Sequence, residues 1–182
     1  MHRPPPLWSI ALGLILFGGA IVGFVPHGAA SFGGPFALTD QHGAIVTDAS
    51  LRGAPFVVFF GFTRCSTVCP LTMMRLTRLR RALEPDGEAL KVLFVSIDPE
   101  DSAADVGRWL EAFPLSVVGL TGSRAEGAQM MDGYRVFARG AGATTSHSST
   151  VFLLGPSGEP RGIIEPQDTD ATALAKLRAL VR

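Results

Sequence analysis

An α/β domain carried on a single transmembrane helix is the architecture this sequence predicts, and three observations predict it. A continuous apolar run rich in Val and Phe, Phe56–Phe62, is followed by a second mainly apolar run, Val92–Ile97, as expected of strands covered on both faces. Segments with apolar residues at helical spacing alternate with such runs, which implies a central sheet with helices on both of its faces. Leu7 to Val25 contains no charged residue, and crossing a bilayer takes ~20 mainly apolar residues.

The elements follow in chain order. Arg3 precedes the apolar stretch and no Lys or Arg follows it until Arg52, so residues 1–6 are placed in the cytoplasm and the rest is exported. The competing reading is a cleaved signal peptide with Gly28-Ala29-Ala30 as its cleavage site. Signal h-regions run to about 7–15 residues, so a retained anchor over 7–25 is preferred. Residues 26–35 are rich in Gly and Ala and read as a linker, leaving 36–182 as the exported domain. That length is enough for a sizeable core.

Phe36 to Thr47 alternates apolar and polar residues about Gly43 and predicts a hairpin. Phe56–Phe62 is the first buried strand. From Cys69 the pattern turns helical, with Leu76, Leu79 and Leu83 on one face and Pro85 and Gly87 as the stop. Val92–Ile97 is the second buried strand. Ser102–Phe113 reads as a helix ended by Pro114, Val117–Leu120 as a short strand, and Ser123–Met131 as another helix. Val151–Leu154, a turn at Gly155–Gly158 and Gly162–Glu165 form a second hairpin. Asp168 or Asp170 is expected to cap a last helix with Leu174, Leu177 and Val181 on one face.

Sixteen basic and sixteen acidic residues cancel, so no excess of positive charge points to nucleic acid as a partner. The chemistry lies elsewhere. Cys65 and Cys69 are the only cysteines, and they fall where the first buried strand gives way to a helix. Spaced i, i+4 at a helix entrance, both sulfurs can turn the same way, close enough to form a disulfide or share a metal. A disulfide is the ordinary fate of two exported cysteines. A loop this short, however, removes little unfolded-state entropy and stabilises weakly. The unpaired N–H groups and positive dipole end of a helix N-terminus favour thiolate, the form that attacks disulfides and binds metals. Arg64 adds a positive charge beside Cys65, and Pro70 suits the first helical turn. The loop is built to hold reactive sulfur.

Redox exchange and metal binding both use such a loop. Thioredoxin-type oxidoreductases have two residues between their cysteines, where this chain has three, and a proline in the facing loop. The facing stretch here, Gly140 to Thr150, has no proline and carries His147. Two thiolates and an imidazole suit Cu(I) or zinc. Three ligands leave an open position, whereas structural zinc normally takes four.

At these residues the chain resembles the Sco/SenC family, membrane-anchored copper-binding proteins of the thioredoxin superfamily. Phe60-Gly-Phe-Thr-Arg-Cys65 through Cys69-Pro70 is similar to the family's FGFTxCPxVCP element, and Val95-Ser-Ile-Asp98-Pro-Glu100 to its second signature. Gly119-Leu-Thr-Gly-Ser123, Tyr134-Arg-Val and His147-Ser-Ser align in the same order. The resemblance implies a thioredoxin-like fold, with a central mixed β-sheet flanked by helices. It also implies that Cys65, Cys69 and His147 bind copper, as Cu(I), Cu(II) or both, and that the protein assists assembly of the CuA centre of cytochrome c oxidase. The partners so implied are the oxidase subunit carrying CuA and another copper chaperone, at an inner membrane with the domain in the periplasm or an equivalent compartment. Asp98 matches a family aspartate near the metal; its other reading is a turn residue before Pro99. A thiol–disulfide oxidoreductase working through Cys65 and Cys69 is the alternative function. A peroxidase is a weaker one, since the Pro-x-x-x-Thr-x-x-Cys pattern is missing around both cysteines.

The chain departs from the family pattern at Ser66-Thr67, commonly Pro-Asp, at Asp101-Ser102, commonly Arg-Asp, and at Ser146, often Asp. Those departures imply fewer acidic groups near the loop. Met73 and Met74 read as core filler. Arg75, Arg78 and Arg81 read as a solvated face able to dock an acidic partner, and His27 and His42 as surface residues.

Overall fold

Strand β3, Phe56–Gly61, is buried at every position, and the remaining elements assemble around it. The computed structural model describes residues 32–137 and 149–182. The expected cytoplasmic N-terminus, the anchor over 7–25, the start of the linker with His27, and His147 lie outside the described residues. Among the described residues no helix is long and apolar enough to cross a membrane.

The described residues form a seven-stranded sheet of β1 (Ala37–Asp40), β2 (Ile45–Thr47), β3, β4 (Lys91–Ser96), β5 (Val118–Thr121), β6 (Val151–Leu154) and β7 (Pro160–Ile164), in the order β2-β1-β5-β4-β3-β6-β7. β3, β4 and β5 run parallel, and β1, β6 and β7 pair antiparallel, so the sheet is mixed. Its strands alternate their side chains between two cores, as the period of two requires. Val57, Phe59, Val92, Phe94, Val151 and Leu153 face one way, with α2 (Val68–Arg81), α3 (Ala103–Leu110) and α5 (Asp170–Val181). Phe56, Val58, Phe60, Leu93, Val95 and Phe152 face the other, with Leu51 of α1 (Asp48–Leu51) and Met130 and Tyr134 of α4 (Arg124–Tyr134). Phe32 packs its ring 5.1 Å from that of Phe152 in this second core, and the Gly33 N–H donates to the Gly133 carbonyl.

The predicted helices form, with differences at their ends. Ser102 and Ser123 each accept the N–H three residues on and so cap α3 and α4. The last helix is capped by Thr169, not by Asp168 or Asp170, its side chain accepting the Thr172 N–H. Asp168 is engaged elsewhere, by the Lys176 ammonium at 2.6 Å and the Glu165 N–H at 2.9 Å. The buried stripe of α5 is Ala173, Leu177 and Leu180, with Leu174 and Val181 packed at its margin. The four-residue α1 escapes a periodicity reading because it is one turn long; Thr47 and Ser50 form its capping box.

Met73 is fully buried in the core, whereas Met74 is about half exposed and is not core filler. The arginine stripe divides, with Arg78 and Arg81 exposed as expected and Arg75 drawn in. Arg75 donates to Asp170 at 2.8 Å and to the Asp168 carbonyl, and Arg78 pairs with Asp170 at 3.4 Å. These contacts tie α2 to the start of α5.

Candidate metal centre

Gly61 closes β3 where the parallel strands end, and the chain then passes through Phe62–Thr67 before entering α2. Ile97 N–H donates to the Gly61 carbonyl at 2.8 Å, so the loop leaves from a fixed edge beside β4. Cys65 N–H donates to the Phe62 carbonyl at 3.2 Å and tightens the turn. Cys69 is the second residue of α2 and Pro70 the third, within the first turn where a missing N–H costs nothing.

The N-cap position of α2 belongs to Thr67, whose side chain makes no capping hydrogen bond. The sulfur of Cys65 takes that role. It accepts the Cys69 N–H at 3.3 Å, one of the donors a helix start leaves unpaired. The two cysteines are not joined in a disulfide.

Their surroundings make them unequal. Partial burial works to raise the pKa of half-buried Cys65. Hydrogen bonds from the Cys69 backbone and thiol and from the N–H groups of Thr67 and Val68 outweigh it, so the net shift is downward. Cys69 has no exposed surface. Burial first, then its hydrogen bond to Cys65 and the nearby charges of Cys65 and Asp101, push its thiol up to about 12. Cys65 is thus disposed to be the thiolate, and Cys69 the neutral donor to it.

Gly61 makes room for the buried sulfur. A Cβ at this position would stand 2.7 Å from Phe94 Cε2 and 3.0 Å from Cys69 Sγ. No feature of hydropathy marks that glycine; the packing of Phe94 and Cys69 against the strand end explains it.

Two ties hold the loop to the β4–α3 connection. Arg64, expected to lend its charge to Cys65, is turned instead to Asp98, with a second contact to Glu100 at 2.9 Å. Beneath it, Asp101 is buried and accepts from the Thr63 N–H at 2.9 Å and from the hydroxyls of Thr63 and Ser96, each at 2.6 Å. The Asp98 carboxylate also accepts the Glu100 N–H at 3.0 Å. It therefore serves the turn and touches the cysteine loop through Arg64. Asp98, Glu100 and Asp101 all reach the loop, the first two through Arg64 and the third through Thr63. In the sequence Asp101 stands out only as a departure just after the second signature, and its burial is not legible there.

Among the described residues no group of three or more His, Cys, Asp or Glu side chains is assembled in a metal-binding cluster. Two sulfurs are brought together beyond the C-terminal end of β3, and the third expected ligand, His147, lies outside the described residues. Two soft donors, one of them predisposed to ionise, suit a soft cation such as Cu(I).

The chain has close relatives. The SCO1/SenC family model matches residues 25–182. Protein SCO2 homolog, mitochondrial, of Bos taurus is 35% identical over 135 residues, covering 69% of this chain and 50% of that protein. Protein SCO1 homolog, mitochondrial, of Homo sapiens is 33% identical over 144 residues, covering 72% and 47%. The chain spans about half the length of these curated relatives. Among solved structures, Bradyrhizobium japonicum ScoI with copper bound superposes with a TM-score of 0.74 at 34% identity, covering 82% of this chain and 99% of that one. Yeast Sco1 with copper bound gives 0.76 at 30% identity, covering 83% and 88%. The mixed sheet with helices on both faces is the thioredoxin-like fold of those proteins. The chain belongs to the SCO1/SenC family.

Proposed function

We propose that this chain is a membrane-anchored copper metallochaperone that assists assembly of the CuA centre of cytochrome c oxidase. Residues 7–25 anchor it in the inner membrane with residues 1–6 in the cytoplasm. The linker 26–35 presents the domain 36–182 in the periplasm or an equivalent compartment. Copper is its cargo, held by Cys65, Cys69 and His147, with Asp98 acting behind the loop through Arg64. The partners are the oxidase subunit that carries CuA and another copper chaperone as source.

The observation that carries this reading is the pairing of two cysteines, not joined in a disulfide, at the entrance of α2, in a chain similar to two Sco proteins solved with copper bound. Half-buried Cys65 offers an approach for an incoming ligand, while buried Cys69 keeps hold from beneath. A metal held by few ligands can accept a partner's donor before its own are released.

Transfer tests it. The 182-residue chain, held in detergent and loaded with one equivalent of Cu(I), is mixed with the reduced, metal-free CuA domain of an oxidase subunit. The two are then separated and their copper measured. Copper is expected on the CuA domain; if all of it stays with the chain, the chaperone reading fails.

One observation favours a second reading, a thiol–disulfide reductase. The lowered pKa of Cys65 beside a buried neutral Cys69 suits an attacking and a resolving thiol. The Cys65 thiolate would attack a partner disulfide, forming a mixed disulfide and releasing one partner thiolate. Cys69, losing its proton, would then attack Cys65 Sγ and free the second. The partner gains two electrons, and the chain ends as the Cys65–Cys69 disulfide. His147→Ala separates the readings, since it should abolish copper binding and leave disulfide exchange intact.

A further inference from the structure

We infer that Asp101 is a positioning residue that sets where Cys65 stands, and this inference rests on the copper reading of the site. Between Gly61, fixed to β4 through Ile97 N–H, and Cys69, fixed in α2, the loop is tightened by the Cys65 N–H donating to the Phe62 carbonyl at 3.2 Å and by the Cys69 N–H donating to Cys65 Sγ at 3.3 Å. What anchors the loop against the sheet is Thr63, which is bonded twice to the Asp101 carboxylate. One carboxylate oxygen accepts the Thr63 N–H at 2.9 Å and the Ser96 hydroxyl at 2.6 Å, and the other accepts the Thr63 hydroxyl at 2.6 Å.

Asp101 is itself held. Its N–H donates to the Asp98 carbonyl at 3.0 Å, and Ser96 ends β4 while accepting the Asp98 N–H at 3.3 Å. The carboxylate therefore joins the end of β4, the β4–α3 turn and the residue two before Cys65. It is nine-tenths buried, so water does not replace the bonds freely when they are lost. A metal ligand on a loop needs such support, and residues behind ligands commonly change metal affinity by about 10–100-fold when removed.

The geometry also separates hydrogen bonding from charge. In Asp101→Asn the amide oxygen can accept from both the Thr63 N–H and Ser96, while the amide nitrogen donates to the Thr63 hydroxyl, which accepts as readily as it donates. In Asp101→Ala all three bonds go. In Thr63→Val the hydroxyl bond goes and the N–H bond remains.

The test uses the 182-residue chain in detergent, first without metal, reading amide hydrogen exchange, and then by Cu(I) titration against a competing chelator. For Asp101→Ala the amides of Thr63, Cys65 and Cys69 should exchange faster by about tenfold or more, with those of Val57 and Phe59 in β3 unchanged. Cu(I) affinity should fall by about 10–100-fold. Asp101→Asn should restore both to near the parent values, and Thr63→Val should fall between. If Asp101→Ala does not fold, Thr63→Val and Asp101→Asn decide alone by the same ordering. Loop amides that do not respond, or that respond equally with the β3 core, overturn the inference. So does an Asn variant as impaired as Ala. If the parent chain binds no Cu(I), the copper reading falls, and the metal-free exchange pattern still decides the role of Asp101.

Discussion

Cys65 Sγ accepts the backbone N–H of Cys69 at 3.3 Å, so the sulfur of one cysteine completes the helix that carries the other. The spacing of four is what allows it: Cys65 stands just outside α2 while Cys69 lies in its first turn. The bond favours thiolate at Cys65 and, through the same proximity, disfavours it at Cys69.

The first consequence is an order of reactivity. Iodoacetamide at neutral pH should modify Cys65 first, with a rate that rises at lower pH than for an ordinary cysteine. Cys69 should remain unmodified until the chain unfolds. Mass spectrometry of partially labelled chain checks this, and equal labelling of the two sites would contradict it.

Cys69 also gives a pH dependence of stability with a definite sign. Its folded-state pKa lies above the unfolded one, so its contribution is complete below the unfolded thiol pKa and is lost as pH rises towards about 12. Denaturant midpoints of the parent chain and Cys69→Ala, compared across alkaline pH, should converge as pH rises through that window. A constant gap would show that Cys69 ionises no later in the folded chain than in the unfolded one.

Gly61 should not tolerate a methyl group. The added Cβ would meet Phe94 at 2.7 Å and Cys69 Sγ at 3.0 Å, and overpacking of this kind costs ~1–3 kcal/mol. Urea unfolding of Gly61→Ala reads the cost. Tight Cu(I) binding should weaken in the same variant, because the buried sulfur must move.

Arg75 and Arg78 should separate in their effects. Arg75 is largely buried and donates to Asp170 and to the Asp168 carbonyl, so Arg75→Ala should cost about 2 kcal/mol. Arg78 is mostly exposed and pairs at 3.4 Å, so Arg78→Ala should cost less than ~0.5 kcal/mol. Thermal unfolding of the two variants distinguishes them.

Much of this was legible in the sequence. The strands at Phe56 and Val92 announced themselves because they are buried on both faces and almost wholly apolar. The sulfur pair announced itself because no other cysteines compete with it. What could not be read was contact at a distance. Nothing in local pattern tells that Arg64 turns to Asp98 and Glu100, or that Arg75 leaves its stripe to hold α5. Asp101 looked like a departure from a family motif, yet it is the carboxylate on which Thr63 and Ser96 converge. Thr169 caps α5 in place of its acidic neighbours because Lys176 has already claimed Asp168. Each of these depends on which side chain lies across the gap, and the sequence order is silent on that.

The most direct test of the central claim is a Cu(I) titration of the 182-residue chain and its Cys65→Ser, Cys69→Ser and His147→Ala variants, each reduced and set against a competing chelator. The parent should take up one Cu(I) per chain against the competitor, and each substitution should abolish that tight binding. A parent chain that cannot hold Cu(I) against the chelator, or a His147→Ala variant that binds as tightly as the parent, would contradict the three-ligand site.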